Sequence, residues 1–577
     1  MNDRRSFIGL TGMAALGGLT PCIVRAADEA NRQNQVIGLT FHGAAGRVSG
    51  SMVLAKLPDT MVLVDCGSFY DEGGDASALN AGMPAEVLDV SLLLLTHAHA
   101  DHVGRIFLLF ERGFKGAIAA TEPTLNLLRV MLIMGARYSD NSQRLWIWSK
   151  RKDAPKSRIE VFTLHWHSAC RWAKAIREDN KQHATGSWRE LKQQIRRSKA
   201  DASPCKVCAG LEVEPIMARC KSFTAGKPFQ IGKGTTCTAT EAGHLPGSVS
   251  FHLASEFPVG RKHSVLFSGD LGPKQPLLQQ GFVKAPAADT VVVECTYGAA
   301  KPKGNRDIDL AHFRSQLISH LKRGAVVWIP CFALDRTEKV LMQIELALRA
   351  HGSELSRLPE VFVPSPSAND FHDLYRNGGA GWGLRPEYLD LTGRARKGDE
   401  SGFLSRMPKE AQEFLDALKA RDMELAGFPD PASLSTAAMR SLEGNIILTT
   451  SGMISEAFSE ELFKPLARRE STAVFLVGYQ DPQSTGGKLR AAEKDGKRLL
   501  EIEGEQVEIR AAVENFSGFS GHANAAEIDE WLAVHGKDSQ IFLVHGEPNN
   551  LRERQQDLSA QGWRQVTIPQ YQQSFQL

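Results

Sequence analysis

The sequence predicts an α/β protein of two or more domains, and three observations carry that expectation. At 577 residues the chain is too long for one ordinary core. Residues 35–96 and roughly 226–298 break into short apolar or alternating runs bounded by glycine, the mark of strands. From about residue 300, amphipathic helical stretches alternate with buried-strand runs, which is the pattern of a mostly parallel sheet. Composition is that of a globular chain, 42% hydrophobic and 23% charged, and a net charge of only +2 gives no global sign of a nucleic-acid partner.

The first 26 residues stand apart. "MNDRRSFIGLTGMAALGGLTPCIVRAADEA" has a twin arginine (Arg4, Arg5), a Gly-rich apolar run and a small-residue cleavage site before Ala27. It resembles a twin-arginine export signal, so the periplasm is the expected location. The alternative is a disordered start on a cytosolic protein. The run is too short and too Gly-rich to span a bilayer, and no membrane partner is expected after its removal. Pro21 argues against a lipid anchor at Cys22.

"QVIGLTFHG", "SGSMVLAKL" and "MVLVDCGSF" then read as strands. In "SLLLLTHAHADHVGR", Leu92–Leu95 supplies a buried strand and Thr96–His102 a projecting loop. Glu111 to Met134 has helical apolar spacing. After a basic segment, "KPFQIGKG", "TTCTATEAGH", "SVSFHLAS", "SVLFSGDLG" and "TVVVECTYG" read as strands. "LAHFRSQLISHLKRG" and "ALDRTEKVLMQIELALRAHG" are helices closed by glycine, and "AVVWIP", "GNIILTTSG" and "TAVFLVGYQ" are buried strands.

The loop after Leu95 gathers His97, His99, Asp101 and His102. A divalent ion of borderline hardness accepts neutral imidazole and carboxylate together. One loop cannot wrap four donors round one tetrahedral ion. The spacing predicts two ions, with His97 and His99 on one and Asp101 and His102 on the other. The alternative is a polar network of histidines without metal. Later strand ends offer His244 in "EAGHLPGS" and Asp270 in "LFSGDLG". A carboxylate such as Asp270 can bridge two cations about 3.5–4 Å apart. Asp65, ending "MVLVDCG", is placed to orient a ligating imidazole.

Asp65, "THAHADH", His244 and Asp270 resemble motifs one to four of the metallo-β-lactamase fold, an αββα sandwich. "VVVECTYG" with Glu294, "IPCFALDRTEKVL", "TTSGMISEAF", "VGYQDPQSTGGKLR", "SGFSGHA" with His522 and "FLVHGEP" with His545 resemble its β-CASP branch. They are most similar to bacterial and archaeal relatives of the nuclease subunit of the pre-mRNA 3′-end cleavage factor. The resemblance implies a sandwich over 35–298, interrupted at about 144–212, an inserted α/β β-CASP domain over 299–515, and a return to the sandwich over 516–577.

It also implies roles. His97, His99, His244 and Asp270 hold a first zinc; Asp101, His102, Asp270 and His545 hold a second; manganese is the alternative metal. Glu294 stands at motif A, His522 at motif B and His545 at motif C, with Asp65 and Asp101 counted in the catalytic machinery. A histidine at motif C accompanies RNA-cleaving members, which favours single-stranded RNA as substrate and a role in RNA processing. The alternatives are a DNA nuclease, a hydrolase of lactams, lactones or thioesters, and a non-catalytic RNA-binding scaffold. Cys295 stands where serine is usual and Gly521 where alanine is usual. A homodimer is left open.

In such a site two ions lower the pKa of a bridging water to about 7 and offset charge growing on the phosphate. His522 is the candidate general acid, oriented by Glu294. The alternative for His522 is a loop histidine capping the helix "NAAEIDEWL". Arg336 and Lys488 are candidate phosphate contacts or solvated surface charges. A cleft under the inserted domain would admit an extended strand and reject a duplex.

From Arg144 to Lys199 there are fifteen Lys/Arg against five Asp/Glu, with five of the nine tryptophans (Trp146, Trp148, Trp166, Trp172, Trp188). That mixture suits a single-strand platform; a solvated insert is the alternative. "HWHSAC" (His165, His167, Cys170) with "CKVC" (Cys205, Cys208) reads as a structural zinc site, as a disulfide in an oxidising compartment, or as neither. Cys66, Cys237, Cys295 and Cys331 read as small buried hydrophobes.

Overall fold

The computed structural model describes residues 36–70, 75–138, 145–147, 159–161, 213–257, 260–299, 305–378, 382–391, 442–455, 457–502 and 504–577. The expected export signal, and Cys170, Cys205 and Cys208, lie outside the described residues. Of the basic segment, Leu145–Ile147 and Ile159–Val161 are described and pair antiparallel. Among the described residues no helix is long and apolar enough to cross a membrane.

Two seven-stranded sheets lie face to face. The first runs, edge to edge, Gln573–Gln576, Gly38–Phe41, Val53–Lys56, Met61–Val64, Leu92–Leu94, Ala117–Thr121 and Cys220–Phe223. The second runs Gln565–Thr567, Gln540–Val544, Thr290–Glu294, Lys262–Phe267, Val249–Glu256, Thr235–Glu241 and Phe229–Gln230. Strand side chains alternate faces, and the apolar residues follow that period of two. Val62 and Val64 enter the core between the sheets with Phe251, Val265 and Val292, whereas Leu63 turns outward. There Leu63 and Leu93 meet the helices Ile106–Glu111 and Glu122–Tyr138. On the other outer face Val291, Val293 and Leu543 meet Ala525–Leu532 and Pro548–Ala560. The result is an αββα sandwich. Its last strand closes the first sheet, with Gln573 opposite Phe41.

The inserted body holds a five-stranded, all-parallel sheet in the order Val361–Phe362, Ile446–Thr449, Val326–Pro330, Thr472–Leu476, Ala512–Asn515. Both faces are covered, as parallel sheets require. Val327, Ile329 and Phe475 pack under Arg306–Lys322 and Arg336–His351, while Trp328, Val474 and Leu476 pack against Ala457–Ala467 and Thr485–Lys494. Glu122–Tyr138 of the sandwich packs along Pro366–Gly378 of the insert, joining the two bodies.

Two expectations are corrected. The stretch from Glu111 to Met134 is not one helix. Ile106–Glu111 ends, Ala117–Thr121 forms a strand, and Glu122–Tyr138 begins directly after it. Gly113, at φ +103°, turns the chain, and "AIAAT" pairs between Leu92–Leu94 and Cys220–Phe223, a tertiary pairing that overrides the helical preference of alanine. The loop after Leu95 is also shorter than expected: Ala100–Val103 closes one helical turn with His99 at its N-cap.

Candidate metal centre

Strand ends position the site. Met61–Val64 delivers Asp65, held at φ +61°, a conformation that only surrounding structure can maintain. Its carboxylate accepts Thr96 N at 2.9 Å and Thr96 Oγ1 at 2.9 Å, and lies 2.7 Å from His102 Nδ1. His102 therefore donates Nδ1–H to Asp65 and turns Nε2 inward. The next turn lies directly on the histidine loop: a Cβ on Gly67 would sit 1.5 Å from Asp101 O, so only glycine fits.

The structure brings all seven expected donors together in two groups. In the first, His97 Nε2 lies 3.2 Å and His244 Nε2 3.0 Å from His99 Nδ1, while Asp270 Oδ2 is 3.6 Å from His97 and 3.7 Å from His244. In the second, His545 Nε2 is 3.2 Å from Asp101 Oδ2 and 3.5 Å from Asp270 Oδ2, and His102 Nε2 is 3.2 Å from Asp270 Oδ1. An ion bound tetrahedrally at 2.0–2.1 Å spaces its ligands by roughly 3.3 Å. The donor atoms already have that spacing. His102 Nε2 and Asp270 Oδ1 are buried, face each other at 3.2 Å and make no hydrogen bond, an arrangement that a cation between them would satisfy. The donor chemistry and the orphaned atoms fit divalent metal, and Asp270, a member of the first group, also lies beside His102 and His545 of the second.

Partners behind the ligands fix their orientation. His244 Nδ1 lies 2.8 Å from Gly521 O, which accepts its proton and leaves Nε2 for the cluster. His97 Nδ1 lies 3.1 Å from Thr96 Oγ1, which in turn donates to Asp65. Asp65 thus sets two imidazoles, one directly and one through a hydroxyl.

The electrostatics divide in the same way. Burial pushes His97 and His244 well below the ordinary imidazole range and His99 to about 4, so the three imidazoles of the first group are neutral, the form that ligates. His545 and His102 go the other way. Burial opposes their charge, but Asp270 with Asp101 raises His545 to about 9, and Asp270 with Asp65 raises His102 well above its usual value. Against burial, His102 and His545 together hold Asp270 well below the carboxylate range; Asp101 is likewise lowered, chiefly by the His545 hydrogen bond.

Glu294 ends the strand Thr290–Glu294 and uses both oxygens. Oε1 accepts Leu271 N at 2.8 Å and lies 3.0 Å from His522 Nδ1; Oε2 accepts Thr296 Oγ1 at 2.6 Å. His522 stands beside both groups, its ring 4.5 Å from His244 and 5.6 Å from His545. Its side chain is 19% exposed where that of His97 is 1% exposed, so it alone of the two reaches solvent. His522 does not cap the following helix; Asn524 does, in a capping box with Glu527. Arg336 Nη1 is committed to Val477 O, and Lys488 is exposed. Neither is brought into the cluster. One residue that the motifs do not single out does enter it, Thr296; the buried Lys339, paired with Asp335, lies near Gly521 behind it.

Three family models match the chain in order: the metallo-beta-lactamase superfamily over residues 45–167, the Beta-Casp domain over 337–489, and the Zn-dependent metallo-hydrolase RNA specificity domain over 506–569. The chain belongs to the β-CASP branch of the metallo-β-lactamase superfamily. The metallo-beta-lactamase match carries Asp65 and the His97–His102 motif, and the RNA specificity domain match carries His522 and His545. Ribonuclease TTHA0252 of Thermus thermophilus is 26% identical over 88% of this chain and 93% of its own length. Transcription termination factor FttA is 24% identical in both Methanothermobacter thermautotrophicus and Methanosarcina mazei, over 88% and 90% of this chain and 67% and 68% of theirs.

Proposed function

We propose that the chain hydrolyses phosphodiester bonds in single-stranded RNA at a centre of two zinc ions, with His522 as general acid. The observation that carries this reading is the division of seven donors into two groups sharing Asp270, with the Glu294–His522 pair beside them. The match to an RNA specificity domain and the relative named a ribonuclease support RNA as the substrate.

Two divalent ions, when bound, supply the Lewis acidity that activates a water and offsets charge growing on the phosphate. His97, His99, His244 and Asp270 would hold the first, and Asp101, His102, Asp270 and His545 the second. The chain's own residues do the rest. Asp65 and Gly521 O aim the ligating imidazoles. Glu294 accepts His522 Nδ1–H and so presents Nε2 to the departing alkoxide, to which it gives a proton.

The test incubates zinc- or manganese-loaded protein with labelled single-stranded RNA and DNA, beside His522→Ala. RNA cleavage is expected, with the variant slower by roughly 10²–10⁴-fold. Preferential cleavage of DNA, or hydrolysis only of a lactam or thioester, replaces the reading with one of its alternatives. We also propose export through the twin arginine Arg4-Arg5. N-terminal sequencing of a tagged periplasmic fraction should begin near Ala27, and a full-length cytosolic species overturns export.

A further inference from the structure

One hydroxyl lies where the second donor group meets the acid pair. Thr296 Oγ1 is 2.6 Å from Glu294 Oε2, 3.0 Å from His545 Nδ1 and 3.3 Å from His522 Nδ1. A hydroxyl has one proton to give and two lone pairs to offer. An ionised carboxylate can only accept, so the shortest of these contacts takes the proton: Thr296 donates to Glu294. Its lone pairs then face the two imidazoles.

For His545 this decides the tautomer. Its Nε2 is the atom aimed at Asp101 and Asp270, so the proton of the neutral ring must sit on Nδ1, where Thr296 accepts it. For Glu294 it decides the division of labour. With Oε2 bonded by the hydroxyl and by Thr296 N at 3.2 Å, Oε1 is left for Leu271 N and His522. Thr296 is itself fixed, since its carbonyl accepts Asn550 Nδ2 at 2.9 Å.

We infer that Thr296 is a positioning residue that ties the second metal site to the general acid, holding His545 in its ligating tautomer and Glu294 in its orienting rotamer through one oxygen. The inference rests on the two-metal reading above.

The experiment compares the full chain with Thr296→Val, which keeps the shape and removes the hydroxyl, and Thr296→Ser, which restores it; Thr296→Ala is a second hydroxyl-free variant. Zinc titration of the chelator-treated protein is followed calorimetrically, and hydrolysis of bis(p-nitrophenyl) phosphate is measured at saturating zinc. Removing a ligand's supporting partner lowers metal affinity by roughly 10–100-fold. The hydroxyl-free variants should lose that factor in the weaker binding step while the tighter step stays within about twofold, and should lose turnover even at saturation; serine should restore both. Two wild-type steps in Thr296→Val, equal loss in serine and valine, or a wild type that binds one ion alone overturns the inference. Failure to cut RNA with these binding results intact would remove the RNA reading and leave the role of Thr296 standing.

Discussion

His102 Nε2 and Asp270 Oδ1 lie 3.2 Å apart, both buried and both without a hydrogen-bond partner. Two such atoms facing one another fit the donor pair of a divalent cation. Asp270 reaches the other group through Oδ2. Asp270→Asn keeps the shape and removes the charge that both ions would share. Elemental analysis should find the metal content of the variant reduced by at least one ion per chain, with activity down by 10²-fold or more. Full occupancy in the variant would mean that Asp270 is not the bridge.

Asp65 is not itself one of the seven donors but holds His102 directly and His97 through the Thr96 hydroxyl. Asp65→Asn can still accept through its oxygen but replaces one acceptor with a donor that faces His102 Nδ1 or Thr96. Zinc affinity should fall roughly 10–100-fold with all seven ligands in place. Competition with a chromophoric chelator measures it, and unchanged affinity would remove Asp65 from the site's support.

The pH dependence of the metal-free protein follows from opposed shifts. His545 is raised from 6.5 to about 9, so its stabilising charge is complete below 6.5 and disappears as pH climbs through 9. Asp101 and Asp270 are lowered from 3.8, so their contribution is present above that value and disappears as pH falls. Burial lowers His97, His99 and His244, whose contribution is present above 6.5 and disappears as pH falls, so melting of chelator-treated protein should be highest near pH 6.5 and should decline both towards pH 4 and towards pH 10. Zinc needs neutral imidazole, so the gain in melting temperature from added zinc should grow across the same range. A metal-free protein that melts higher at pH 9.5 than at pH 6 contradicts the assignment.

Six of the seven clustered residues were legible because each sits in a short run whose polar residues interrupt a buried strand: His97, His99, Asp101 and His102 after "SLLLL", His244 and Asp270 after alternating runs; His545, after "IFLV", was reached only through the family resemblance. The strands were legible for the same reason, and their stacking as a sandwich only through the family resemblance. Ala117–Thr121 was not, because alanines carry no periodic signal of which face they bury. Thr296 was not, because its partner His545 is 249 residues away and a threonine after a glutamate predicts nothing by itself. Lys339 was hidden by a general expectation: charged residues on an amphipathic helix face water. Arg336–His351 instead buries Glu338, Lys339 and Glu345 between the parallel sheet and its neighbours.

That burial makes the last prediction. Lys339 is 1% exposed and pairs with Asp335, which is held at φ +65° and also accepts the Tyr375 hydroxyl at 3.1 Å. Burial lowers the Lys339 ammonium below its ordinary value, against the pull of Asp335. Removing one member leaves the other charged and unpaired in the interior, at a cost of about 3–5 kcal/mol, whereas replacing both with apolar or neutral groups can cost little. Lys339→Met should therefore destabilise strongly, and Asp335→Asn combined with Lys339→Met should recover most of the loss. Denaturant unfolding of the two single variants and the double variant gives the interaction energy directly. Additive losses would mean that the ammonium is stabilised by something other than Asp335.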